Sequence, residues 1–103
     1  MIAAFSITPI GTGESVGDLV AEAVGVVRES GLPSETNAMF TNVEGDWEEV
    51  MAVIKRCVDR LSAAAPRLSI VIKADIHPSA PLGQLAGKVE RVERHLKRVA
   101  GST

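Results

Sequence analysis

The clearest structural signal in this chain is the stretch RLSIVIKADIH, which occupies residues 67–77. Apolar and polar side chains alternate along it, as in a strand whose successive side chains point to opposite faces of a sheet. The set predicted to face the core is Leu68, Ile70, Ile72, Ala74 and Ile76. The opposite, mixed polar set is Ser69, Val71, Lys73, Asp75 and His77. We therefore predict a strand over residues 67–77 with one buried face.

A helix is predicted just upstream of this strand, over residues 47–64. Asp46 is a suitable N-cap, Glu49 completes a capping box, and Pro66 prevents continuation of the helix. Its apolar face is expected to include Trp47, with Cys57 packed as a small hydrophobic residue. This helix would lie across the core face of the strand.

The N-terminal part of the chain predicts a second strand and a second helix. Residues 2–8 alternate, with an apolar set at Ala3, Phe5 and Ile7. The other set becomes polar along its length and comprises Ile2, Ala4, Ser6 and Thr8. A helix is predicted to begin near Val16, because Ser15 and Asp18 resemble a capping box, and to end near Gly31.

The remaining segments complete the predicted order. Residues 35–44 are plausible as two short strands joined near Met39 to Thr41, and a last helix follows the turn at residues 78–81. Its apolar seam consists of Leu85, Val89, Val92, Leu96 and Val99. The order βαββαβα predicts an α+β fold, a ferredoxin-like βαββαβ sandwich with an additional C-terminal helix, as a single domain over 1–103.

Composition limits the classes of function. With 11 basic and 13 acidic residues in 103, the net charge is −2, so nucleic acid is not an expected partner. The chain offers no apolar run long enough to cross a membrane and no basic signal-like N-terminus, so we expect a cytoplasmic protein without a membrane partner. A single cysteine excludes an internal disulfide and a multi-cysteine zinc site, and no cofactor is expected.

The non-core face of the predicted sheet holds the candidate site. Lys73 and Asp75 lie two residues apart on that face, with Ser6 and Thr8 as expected neighbours on the adjacent first strand. This face has too many apolar side chains to be favourable in contact with water and too many polar ones to form a core. We therefore expect a homodimer or homotetramer in which this face forms a subunit interface. The buried charges would then pair with each other, with a partner chain or with a ligand. A structural ion pair and a binding site both stay open.

Several segments resemble the small thiamine-binding-protein-like family, long catalogued as a domain of unknown function. The resemblance spans nearly the whole chain and rests on the stretches MIAAFS at 1–6, PIGTGES at 9–15 and VEGDW at 43–47. It also includes GKV at 87–89, the Lys73-x-Asp75 pair and the spaced residues Thr36, Met39 and Thr41. His77 departs from it, because family members often carry a basic residue soon after the Lys-x-Asp pair.

The resemblance implies ferredoxin-like subunits that assemble through their sheets, some of which bind thiamine or its hydroxymethylpyrimidine moiety. A carboxylate and hydroxyls suit the amino group and ring nitrogens of an aminopyrimidine, so Asp75 would accept from the amino group. Ser6, Thr36 or Thr41 would supply hydroxyls. We expect a non-enzymatic binder of this small molecule, and the alternative is an oligomeric interaction or regulatory module with no ligand.

Overall fold

The computed structural model describes residues 1–101, and its elements follow the predicted order. The strands are β1 (Ile2–Ile10), β2 (Ser34–Thr36), β3 (Thr41–Glu44) and β4 (Arg67–Asp75). The helices are α1 (Val16–Glu29), α2 (Trp47–Ser62) and α3 (Gln84–Gly101). All strand pairs are antiparallel in the order β2-β3-β1-β4, which confirms the ferredoxin-like fold with an added helix.

The register of β1 against β4 confirms the predicted two-faced strands. Phe5 lies opposite Ile72 and Ile7 opposite Ile70, so both apolar sets share the core face. The pairs on the other face are Ile2 with Asp75, Ala4 with Lys73, Ser6 with Val71, and Thr8 with Ser69. A one-residue slip would place Ala3, Phe5 and Ile7 opposite residues of the other face, so burial of these three residues of β1 specifies this register.

The core lies between the sheet and the two helices α1 and α2. Alternate strand residues meet one face of each helix, as the spacings predict. The largest fully buried side chains are Leu61, Val27, Val43, Val50, Val53 and Cys57. The core position predicted for Cys57 is therefore confirmed.

The strand β4 differs from expectation in its burial and its end. Ile70 and Ile72 face the core side but are 37% and 41% exposed. The reason is topological, because β4 is an edge strand and α1 packs against α2 and β1 instead. The strand also ends at Asp75 rather than at His77.

The two predicted capping boxes have different outcomes. The box of α2 is confirmed: Asp46 Oδ1 accepts from the Glu49 N–H at 2.7 Å, and Glu49 Oε1 accepts from the Asp46 N–H at 3.1 Å. The one predicted at Ser15 is wrong, since within residues 1–101 its side chain makes no capping hydrogen bond. A 3-10 turn at Gly13–Ser15 precedes α1 and removes the extended backbone that an N-cap residue needs.

The expectation that Trp47 lies on the buried face of α2 is also wrong, because this residue is 54% exposed. Helical side chains lean toward the N-terminus and cover the preceding turn. Trp47 is the first residue of α2, so it has no preceding helical turn to pack on.

Helix α3 projects away from the sheet. The molecule measures 54 × 31 × 20 Å with a radius of gyration of 16.2 Å, against about 13 Å for a compact chain of 100 residues. In the apolar seam of α3, Val89, Val92, Leu96 and Val99 are 52 to 58% exposed, whereas Leu85 is half-buried. Along residues 1–101, no helix is both long and apolar enough to span a bilayer.

Candidate functional site

Four of the six predicted site residues line one cleft beside β1, which we call the hydroxyl pocket. Ser6 and Thr8 come from β1, whereas Thr36 and Thr41 come from the β2–β3 hairpin. The cleft has a volume of about 200 Å³. Its remaining lining is Phe5, Ile7, Val20, Ala23, Val24 and the hairpin loop at 37–40. A few hydroxyls among apolar walls are typical of small-molecule sites.

The pocket exists because β3 is shorter than β1. Pairing between the two strands runs only from Ile2 to Phe5, so the later part of β1 has β4 on one side and the pocket on the other. An uncovered strand edge carries backbone N–H and C=O groups that can hydrogen-bond a ligand. It also allows Ser6 and Ile7, which face opposite sides of the sheet, to line the same cleft.

Two of the hydroxyls lie side by side across the hairpin. The Oγ1 atoms of Thr36 and Thr41 are 3.3 Å apart, and either can be the donor. Thr41 is only 8% exposed and lines the pocket. Since a hydroxyl both donates and accepts, this pair can complement either a ring nitrogen or an amino group.

Asn37 positions the pocket's loop and was not singled out by sequence reasoning. Its Oδ1 accepts from the backbone N–H groups of Met39 and Phe40, both at 2.9 Å. The Asn37 N–H in turn donates to the Phe40 carbonyl at 2.9 Å. The sequence feature that could have identified Asn37 is its place at the start of a short loop, where an asparagine side chain commonly accepts hydrogen bonds in place of a backbone carbonyl.

The structure places Asp75 at the other end of the sheet from the hydroxyl pocket. Asp75 lies opposite Ile2, and Ile2 is six residues from Thr8 on β1, or about 20 Å in a strand. Its Oδ2 accepts from Lys88 Nζ at 2.6 Å, and this bond lowers the pKa of the carboxyl group. The ion pair observed for Asp75 is with Lys88 of α3 and not with Lys73, so its partner is none of those considered from the sequence.

Lys73 lies between these two regions. It is opposite Ala4 and so diagonal to Ser6 on the same face of the sheet. It does not line the hydroxyl pocket, nor a second cleft that includes Asp75 and is described next. It forms no ion pair with any residue of the described range 1–101.

A second and smaller cleft, of about 50 Å³, lies where α3 joins the sheet. Glu44, which is 4% exposed, directs its carboxylate at the start of α3. It accepts from the backbone N–H groups of Gln84 at 2.9 Å and Leu85 at 3.2 Å. Because a helix N-terminus carries unsatisfied N–H groups and partial positive charge, Glu44 anchors α3. Sequence reasoning did not identify this role of Glu44.

Elsewhere in residues 1–101, the cysteine and the two histidines lie apart from both clefts or at their rims. Burial raises the pKa of the Cys57 thiol to about 11, and this thiol donates to the Ala23 carbonyl at 3.5 Å. It is thus a core group rather than a nucleophile at neutral pH. His77 and His95 are exposed. Among the residues that the structure describes, no group of three or more His, Cys, Asp or Glu could hold a metal ion.

Comparison with known proteins identifies a family and several relatives. The sequence pattern that defines thiamine-binding proteins matches residues 3–93. The chain belongs to the thiamine-binding protein family. It is 54% identical over 99 residues to a UPF0045 protein of Mycobacterium tuberculosis, covering 95% of this chain and 96% of that protein. It is 37% identical over 92 residues to one from Synechocystis, covering 88% and 75% respectively.

Solved structures resemble this member of the thiamine-binding protein family over most of its length. A hypothetical protein of Methanocaldococcus jannaschii superposes with a TM-score of 0.72 at 30% identity, covering 96% of this chain and 94% of that one. A candidate thiamine biosynthesis/salvage protein of Thermotoga maritima gives a TM-score of 0.74 at 19% identity, covering 91% and 96%. The second likeness establishes a shared fold only.

Proposed function

We propose that this protein binds thiamine or its hydroxymethylpyrimidine moiety, with the pyrimidine ring in the hydroxyl pocket. The observation that carries the proposal is that Ser6, Thr8, Thr36 and Thr41, distant in sequence, line one cleft with apolar walls. Membership in a family named for thiamine binding supports the choice of ligand. That family is named for binding rather than for a reaction, and we propose binding without turnover.

The size of the pocket suits one aromatic ring. A cavity of about 150 Å³ lined by apolar groups admits benzene, and this cleft measures about 200 Å³. Ligand sites for larger, drug-sized molecules span roughly 300–1,000 Å³. The pyrimidine would therefore enter, while the thiazolium of thiamine and any phosphate would stay at the open mouth.

The chemistry of the walls complements an aminopyrimidine. Its ring nitrogens accept hydrogen bonds, which the hydroxyls of Thr36 and Thr41 would supply. Its amino group donates, and hydroxyl oxygens or free carbonyl groups on the β1 edge would accept. Phe40 and Val24 line the same cleft and would cover the ring faces.

We further propose that the protein acts as a homodimer or homotetramer in the cytoplasm. The exposed α3 seam and the mixed non-core face of the sheet supply apolar surface for subunit contacts. Light scattering at micromolar concentration tests the assembly, and cell fractionation tests the location. An interaction module without ligand is the alternative, since the same seam would serve it equally well.

A thermal-shift and calorimetric titration with thiamine, thiamine phosphates and free hydroxymethylpyrimidine tests the binding proposal. A ligand at a hundred times its dissociation constant stabilises the native state by about 2.7 kcal/mol. We expect the free pyrimidine to shift the melting temperature as thiamine does, because both carry the ring that enters the pocket. No shift with any of the compounds would favour the interaction module.

Substitution of a hydroxyl-bearing residue tests whether the ligand binds in the hydroxyl pocket. Thr36→Val removes one hydroxyl with little change of shape, and should weaken binding by about 0.5–1.5 kcal/mol, as for a neutral hydrogen bond. Ser69→Ala is the matched control, because Ser69 lies opposite Thr8 on β4 but outside the pocket. Equal affinities for the two variants would remove the hydroxyl pocket from the proposal.

A further inference from the structure

The hairpin loop at residues 37–40 carries an exposed apolar side chain beside the hydroxyl pocket. Met39 lines this pocket, yet it is 73% exposed. The other large apolar side chains of the lining are less accessible, and the next most exposed of them, Val20, is 36% exposed. Met39 therefore keeps most of its surface in water although an apolar cleft lies next to it.

The backbone of this loop is held in place, so the exposure of Met39 does not come from a loosely constrained turn. The Asn37 side chain accepts from the backbone N–H groups of Met39 and Phe40, both at 2.9 Å. The Asn37 N–H donates to the Phe40 carbonyl, and Thr36 pairs with Thr41 where the hairpin begins and ends. These contacts fix the backbone from which the Met39 side chain extends and leave the side chain itself free.

The Met39 side chain can take a new position without any change in the loop. Methionine is unbranched and has three rotatable bonds, so it adapts to irregular surfaces. Exposed side chains change rotamer within picoseconds to nanoseconds. Such a rotation would break no hydrogen bond of the loop, because those bonds involve only the backbone and the Asn37 side chain.

The hydroxyl pocket offers no charge to a ligand. The described residues that line it are apolar or carry a hydroxyl or an amide, and none has an ionisable side chain. A ligand there is held by hydrogen bonds and by apolar contact. A ring bound in an open cleft would leave part of its apolar surface in water. Burial of that part against the exposed surface of Met39 is favourable, since it removes both from water.

The thioether of methionine suits an aromatic ring in particular. Its polarisable sulfur makes favourable contacts about 5 Å from aromatic rings, often at the ring edge. A pyrimidine is a flat aromatic ring and presents both a face and an edge to a side chain at the mouth of the cleft. Leucine in the same place would supply the apolar contact without the sulfur contact.

We propose that Met39 closes the hydroxyl pocket by folding its side chain over the bound ring, and that this closure accepts a planar, uncharged heterocycle. The inference rests on the proposed function, to which it adds a residue that contacts the ligand and the class of group that enters. Charged parts of a larger ligand would stay outside the closed part of the cleft, because its lining has nothing to pair with them.

NMR of the chain labelled at its methionine methyl groups tests the closure directly. The chain has three methionines, Met1, Met39 and Met51, and hence three such signals. Free hydroxymethylpyrimidine is the probe, since it carries the ring without the thiazolium. We expect it to shift the Met39 signal, because a methyl group over an aromatic ring is magnetically shielded. The Met51 signal, from α2, should stay in place. Met39→Leu identifies the Met39 signal by removing it.

The affinities of variants provide a second measurement. Met39→Ala should raise the dissociation constant for hydroxymethylpyrimidine by roughly three- to tenfold, a modest factor because fixing the side chain costs rotamer freedom. Met39→Leu should give a value between those of Met39→Ala and the unmodified chain. Leu82→Ala is the matched control, since Leu82 is 85% exposed and lies in the second cleft, outside the hydroxyl pocket. It should leave the affinity unchanged.

The outcomes separate the closure from the proposed function. An unmoved Met39 signal when calorimetry shows the pyrimidine bound, or equal affinities of Met39→Ala and the unmodified chain, would overturn the closure and leave ligand binding intact. Absence of binding to the unmodified chain would overturn both. Substitution of the exposed Met39 should not prevent folding, and circular dichroism of each variant checks this.

Discussion

At the scale of single residues, Asp75 separates ligand binding from assembly. We expect Asp75→Asn to leave pyrimidine affinity unchanged, because the residue lies about 13–20 Å from Ser6 and Thr8 along the sheet. The variant loses the charged bond to Lys88, which joins β4 to α3, so it should weaken the proposed assembly. Calorimetry and light scattering on the same sample measure both effects. A tenfold loss of affinity with an intact dimer would return Asp75 to the ligand site.

Cys57 is expected to make stability depend on alkaline pH. Its pKa is raised from 9.0 to about 11 because burial disfavours the thiolate. Above pH 9 the thiol of the unfolded chain ionises while the buried thiol of the folded chain does not, and this ionisation stabilises the unfolded state. The free energy of unfolding is therefore unaffected by ionisation of Cys57 below pH 9 and falls as pH rises toward 11. Urea unfolding at pH 8 and pH 10 should show a smaller loss of stability for Cys57→Ala than for the unmodified chain. Equal losses would show that other groups dominate this range.

At the scale of helices, the start of α2, which has a capping bond, can be compared with the start of α1, which has none. Asp46→Ala removes an observed capping bond and should lower the free energy of unfolding by about 0.5–2 kcal/mol. Ser15→Ala removes a side chain that caps nothing within the described residues 1–101, so the free energy of unfolding should change by about a few tenths of a kcal/mol at most. Denaturant unfolding of both variants checks the difference, and similar costs would contradict the assignment of the caps.

At the scale of the whole molecule, the projecting α3 is expected to support assembly. Val92→Lys places a charge in the α3 seam, where Val92 is 58% exposed, and should raise the dissociation constant of the oligomer without unfolding the subunit. Glu90→Lys alters the charge of the same helix outside the seam and is the control. Sedimentation and circular dichroism measure assembly and folding. An oligomer unaffected by Val92→Lys would exclude the seam from the interface.

Most of the fold of this protein could be predicted from local sequence patterns. The alternation at 67–77 and at 2–8, the helical spacings and the Asp46 cap are properties of neighbouring residues, and they predicted the type of each main element and the facing of both long strands. Trp47 and Ser15, each at the start of a helix, are the exceptions. Which side of β4 faces the helices also followed from its period of two. The family resemblance added the hydroxyls of Thr36 and Thr41 to those of Ser6 and Thr8.

The tertiary structure alone decided where these features meet. The difference in length between β1 and β3 opens the hydroxyl pocket, and no local pattern records that difference. The position of β4 at the sheet edge leaves Ile70 and Ile72 exposed despite their core-facing period. Contacts between residues distant in sequence, such as Glu44 with the start of α3 and Asp75 with Lys88, depend on the path of the connecting chain. Periodicity specifies the direction of a side chain, whereas its neighbours depend on how the elements pack in space.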